Sequence, residues 1–124
     1  MKSGLSFLVA ARRSEISELQ QLALNCALVD ATGRLIHALQ RERGLSNLYL
    51  GSGGTGFTTE RPLQARETDR CATQLRALFD RLDTEASLAG HSARLFSRIA
   101  WVLQGLDALP RLRECVDTLA WTPA

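Results

Sequence analysis

Proline is scarce in this chain, with three in 124 residues, and β-branched residues are few. Leu, Ala, Arg, Gln and Glu dominate instead, and these are good helix formers. That balance disfavours a sheet and predicts an all-α fold. Lysine is absent after Lys2, so almost all positive charge is arginine. The net charge of +2 is small and the signs are interspersed, so direct nucleic-acid binding is not expected. Cysteine is limited to Cys26, Cys71 and Cys115, an odd number without metal-ligand spacing. Each falls at a helical position expected to be buried, as a small apolar residue in a reducing compartment. No stretch is read as nearing the roughly 20 apolar residues of a transmembrane helix. The short apolar run from Leu5 to Ala11 is closed by Arg12 and Arg13, too soon for a signal peptide. The expectation is a cytoplasmic protein without a membrane segment.

At 45% hydrophobic and 23% charged residues, the chain can bury a core, and residues 1–124 read as a single domain. The apolar spacing predicts a first helix over about Leu5 to Ala27, with room for a break near Asn25–Asp30. A second helix is predicted from about Leu28 to Leu50. Along it Val29, Thr32, Ile36, Leu39, Arg43, Ser46 and Leu50 alternate in steps of three and four, which predicts a seam facing a neighbour. Leu28, Leu35, Leu45 and Leu48 add a second apolar flank, so this helix should be central. Four glycines between Gly51 and Gly56 end it. Pro62 suits the first turn of a third helix carrying Cys71, Leu75, Leu78 and Leu82. A fourth follows Ser87, Pro110 punctuates, and a short last helix holds Leu112, Val116 and Leu119. The predicted fold is an antiparallel bundle of four to five helices, with Ile36, Leu39, Leu75, Leu78, Ile99 and Val102 in its core.

Catalytic constellations are missing. Gly51, Gly53 and Gly56 form G-x-G-x-x-G, but the motif follows a helix where a dinucleotide fold needs a strand, so it reads as a turn. His37 and His91 stand apart, with no cysteine or carboxylate arranged around them. His37 is expected on a helix surface, and His91 in the loop at Gly90. No catalytic residue, metal site or cofactor is predicted.

Arg43 is the informative residue. It lies seven residues after Ile36 and seven before Leu50, so the seam turns it inward or across an interface. A buried guanidinium needs a negative partner. One reading is a structural ion pair with Asp69, Glu42 or Glu60, or a side chain reaching out to solvent. The other is a small oxyanion held by the two-pronged guanidinium. Ser46 and Asn47, about one turn on, are small polar groups on the same side. Gly33 and Gly44 would let another helix approach closely, and Gly44 inside a helix otherwise costs about 1 kcal/mol.

The run from Leu39 to Gly54, LQRERGLSNLYLGSGG, followed by Phe57 and by Arg66-Glu67-Thr68-Asp69, resembles the signature of the NIT domain. NIT domains are nitrate- and nitrite-sensing domains of bacterial signalling proteins. The segment Ala11 to Gln21 is also similar to the start of a nitrate-responsive transcription antiterminator. The resemblance implies an all-helical sensor, with the arginine of E-R-G, here Arg43, binding nitrate or nitrite. It also implies that the Arg66–Asp69 element serves the pocket. The expected ligand set is Arg43, Ser46, Asn47 and Arg66, with Gly44, Thr68 and Asp69 in support. The family domain has two half-bundles around the pocket, and this chain shows one E-R-G element and no output domain. Its expected partners are the anion and either a twin chain or a regulatory protein. In a two-fold pair, two Arg43 side chains would face each other across the axis. The alternative function is a helical interaction adaptor that has lost its ligand, with Arg43 in a structural ion pair.

Overall fold

The computed structural model describes residues 1, 3–82 and 93–119. These form three helices: α1 over Gly4–Gly51, α2 over Glu60–Asp80 and α3 over Ala93–Asp117. The all-α expectation holds, with no strand among the described residues. The number of helices differs from the expected four to five. The first two predicted helices are one helix of 48 residues, without a break at Asn25–Asp30. At about 1.5 Å per residue it is about 72 Å long. Pro110 does not end a helix either. It lies within α3, where an exposed proline removes only one backbone bond. The predicted start after Ser87, and His91 and Gly90, fall outside the described residues.

Local chemistry sets the ends. The Ser3 hydroxyl accepts from the Ser6 amide at 3.2 Å and caps α1. At the other end the Ser52 amide donates to the Leu48 carbonyl, and Gly53 and Gly54 take φ of 68° and 87°. Those left-handed conformations are what glycine admits without strain. The Ser52 hydroxyl donates to the Tyr49 carbonyl and accepts from the Gly56 amide, so the glycine motif closes on itself as a turn. Pro62 lies in the first turn of α2, as its missing amide hydrogen allows.

α2 folds back along α1. Gln64 Nε2 donates to the Ala38 carbonyl at 3.2 Å, while Thr68 Oγ1 donates to the same carbonyl and to that of Gln64. Below them Ala31, Leu35, Ala38, Cys71, Ala72 and Leu75 form the core, with Leu28, Leu39, Leu78, Phe79 and Leu106 packed around it. The alanines and the cysteine let two backbones come close, and Leu75, 1% exposed, fills the space between.

The core is shifted from the predicted seam. Of the expected core residues, Leu75 is buried and Leu39 and Leu78 pack against the core. Ile36 is 50% exposed and Val102 is exposed. Ile99, half-buried, lines an open groove of about 520 Å³ with Val29 and Ile36. Two of the three α1 residues in the core are alanines, which a search for large apolar side chains passes over. Cys71 is buried as expected and Cys115 half-buried, but Cys26 is exposed, on a turn of α1 whose other residues, Leu24, Asn25, Ala27 and Leu28, are half-buried. Gly33 and Gly44 have open space beside them, so neither marks a close approach within this chain.

α1 also departs from the expected lack of any membrane-like stretch. By length and composition it suffices to cross a bilayer, with a window of mean hydropathy 1.2. A soluble helix whose apolar face awaits a protein neighbour has the same composition.

Candidate functional site

α3 runs along the other two helices and is pinned to them by charge. Arg113 reaches from α3 to Glu42 of α1, with Nε to Oε1 at 2.6 Å and Nη2 to Oε2 at 3.1 Å. Its Nη1 donates to Asp69 of α2 at 2.8 Å and its Nη2 also donates to the Ala65 carbonyl. Glu42 is buried, and the two-pronged geometry suits its carboxylate. Those bonds raise the Arg113 pKa above its ordinary value, the Glu42 bond most, against desolvation by partial burial. Two further pairs hold the helix: Arg76 to Asp107 at 2.8 Å and Arg61 to Asp117 at 2.9 Å. Arg61 also lies over the Tyr49 ring, 4.3 Å from its centroid, and so ties the turn to α3.

Arg43 follows Glu42 on α1 and lines the same groove, of about 330 Å³, between α1 and α3. It is exposed, so of the two placements the seam allowed, inward or across an interface, it does not take the first. Ser46 and Asn47 line the same wall, both half-buried. Leu39 and Leu50 of α1 and Leu109, Leu112 and Val116 of α3 give the groove apolar sides, and the paired Glu42 and Arg113 also line it. Arg43 forms no ion pair among the described residues. Glu42 and Asp69, two of the three carboxylates expected to neutralise it, are both taken by Arg113. The result is a guanidinium fork with no ion pair among the described residues, beside two small polar side chains in a groove whose one carboxylate, Glu42, is already bound to Arg113.

The other expected residues divide. Gly44, exposed, follows Arg43 without lining the groove. Thr68 is fully buried and secures α2 against Ala38 of α1, and Asp69 helps hold Arg113. Arg66 is exposed on α2, two residues past the buried Gln64 and so across the helix from it, and does not line the groove. Arg113 was missed by sequence reasoning. Its signal was present, since it lies among Leu109, Leu112 and Val116 at helical spacing, as Arg43 lies among Leu39 and Leu50. His37 is exposed, as expected.

Three helices placing an E-R-G arginine on a small open groove define a class that the comparisons make explicit. Residues 34–124 match the NIT family, described as nitrate and nitrite sensing, and the chain belongs to that family. It is 36% identical over 106 residues to the nitrate regulatory protein of Klebsiella oxytoca, covering 86% of this chain and 26% of that protein. The fold is similar to that in the structure of the NasR transcription antiterminator, with a TM-score of 0.76 and 31% identity. That likeness covers 96% of this chain and 31% of the antiterminator chain. The chain therefore spans between a quarter and a third of each relative's length.

Proposed function

We propose that residues 1–124 act as one helical sensory unit of a bacterial nitrogen-regulatory system, binding nitrate or nitrite in the groove at Arg43. The observation that carries this is the commitment of Glu42 and Asp69 to Arg113, with Arg43 in no ion pair among the described residues. A planar monovalent oxyanion matches one guanidinium fork in shape and charge. Ser46 and Asn47 supply polar contacts beside it, and the leucines around them limit competing water. Arg66 is outside this groove, so its part in the ligand set needs a rearrangement of α2 or a second site. The unit is a binding module, with no cofactor and no catalytic step. Its signal is a change in how helices meet, within a homodimer or against a regulatory partner.

The adaptor alternative draws on the exposed apolar residues of α1. It needs a structural ion pair for Arg43, and two of its candidate carboxylates are already engaged.

Calorimetry with nitrate, nitrite and a chloride control tests the assignment. A specific anion at 100 times its Kd also stabilises the fold by about 2.7 kcal/mol. Arg43→Ala should lower nitrate affinity at least about tenfold, equivalent to about 1.4 kcal/mol, and leave unfolding unchanged. Arg43→Lys keeps the charge without the fork and should fall between. Wild-type affinity in Arg43→Ala would sink the assignment.

A further inference from the structure

From Gly4 to Gln20 every residue of α1 is exposed among the described residues. Four leucines in its first half are well exposed: Leu5 71%, Leu8 69%, Leu19 67% and Leu22 59%. Together with Arg12 and Glu15 they fall at positions 5, 8, 12, 15, 19 and 22, in alternating steps of three and four. That is the spacing of a coiled-coil seam, four leucines flanking two charges.

We infer that this stretch pairs with the same stretch of a second copy of the chain, antiparallel, about a two-fold axis between residues 13 and 14. In that register Leu5 lies opposite the partner's Leu22, and Leu8 opposite the partner's Leu19. Arg12 lies opposite the partner's Glu15, and by symmetry Glu15 opposite the partner's Arg12. Every layer is then apolar against apolar or positive against negative. A parallel, in-register pair stacks Arg12 on Arg12 and Glu15 on Glu15. Moving the antiparallel axis by one heptad, to between residues 20 and 21, sets Arg12 against Val29 and Glu15 against Cys26. Charges in a seam select register in this way, because an unmatched charge is left desolvated.

The geometry also leaves room for it. The paired stretch is about 26 Å long. The two antiparallel copies carry their bundles at opposite ends, so the helices that follow do not collide. A contact of about five helical turns per chain is short, so the dimer is reversible and concentration-dependent. The register places the two Arg43 residues far from the axis on opposite sides. Each anion groove is then complete within one chain, which differs from an arrangement with two Arg43 residues meeting at the axis. The pairing deepens the homodimer part of the proposed function and is independent of its anion part.

Sedimentation of the whole chain from micromolar to millimolar concentration, without nitrate, tests this. Wild type should pass from monomer to dimer. Arg12→Glu and Glu15→Arg should each weaken self-association at least about tenfold, by setting like charges opposite one another. An equimolar mixture of the two single variants should associate as wild type does, because the opposite charges meet again in the mixed pair. The double variant should recover as well. Both sites are exposed, so unfolding at low concentration should not change. A wild-type chain that stays monomeric at millimolar concentration overturns the pairing. Single variants that dimerise like wild type, or a mixture that fails to recover, overturn the register. None of these outcomes bears on nitrate binding, which calorimetry of the monomer reads separately.

Discussion

The two halves of α1 are built from similar residues and live in different surroundings. From Gly4 to Asp30 no residue is buried, although leucines are frequent there. From Ala31 onward Ala31, Leu35, Ala38 and Glu42 are buried, two of them alanines and one a carboxylate. Apolar content therefore does not decide burial along this helix. The presence of α2 and α3 beside the second half does.

The largest expected effect tests that contrast directly. Leu75→Ala removes a side chain that is 1% exposed at the contact with the second half, and should cost about 3 kcal/mol in a denaturant titration. Leu8→Ala, measured on dilute monomer, should change stability by less than about 0.5 kcal/mol. Equal losses at the two sites would break the comparison and show that the first half belongs to the folded core.

What the sequence revealed follows the same division. Helix content, the turn at Gly53 and Gly54, and the start of α2 at Pro62 depend on neighbouring residues, and all could be read. The division of the helices could not. Nothing near Asn25–Asp30 stops a helix, and Pro110 is tolerated because it is exposed and takes only one hydrogen bond from α3. The seam was misplaced because Val29, Ile36 and Leu50 outrank Ala31 and Ala38 in hydrophobicity, while close helix packing favours small residues. At the groove, the E-R-G motif drew attention to Arg43. That Glu42 and Asp69 are not its partners was not legible, because it depends on Arg113, some seventy residues away, taking both.

The next effect sharpens the difference between Glu42 and Arg43, adjacent residues on opposite duties. Glu42→Ala leaves Arg113 with Asp69 and the Ala65 carbonyl. Loss of one partner from a buried pair costs about 3–5 kcal/mol, and because Arg113 is partly exposed the expected loss here is about 2 kcal/mol. Arg113→Ala together with Glu42→Ala should cost less than the two separate losses added, since neither charge is then stranded. Simple additivity would mean that the bridge contributes no coupling, and that α3 is held by its apolar contacts and outer ion pairs.

The smallest effect is a gain, at the glycine of E-R-G. Gly44 is in the interior of α1, and a Cβ added there meets nothing within 4 Å. Alanine restricts the unfolded chain more than glycine does and fits a helix without strain, so Gly44→Ala should stabilise the protein by up to about 1 kcal/mol. Thermal unfolding reads that gain. The informative measurement is nitrate binding by the same variant. If the groove works as one chain presents it, affinity stays within about twofold, because the methyl group does not line the wall that carries Arg43, Ser46 and Asn47. If affinity collapses while the fold gains stability, something outside this chain must approach α1 at Gly44 when the anion binds. The second half of α1 would then share the condition of the first, as a helix face completed only by a partner.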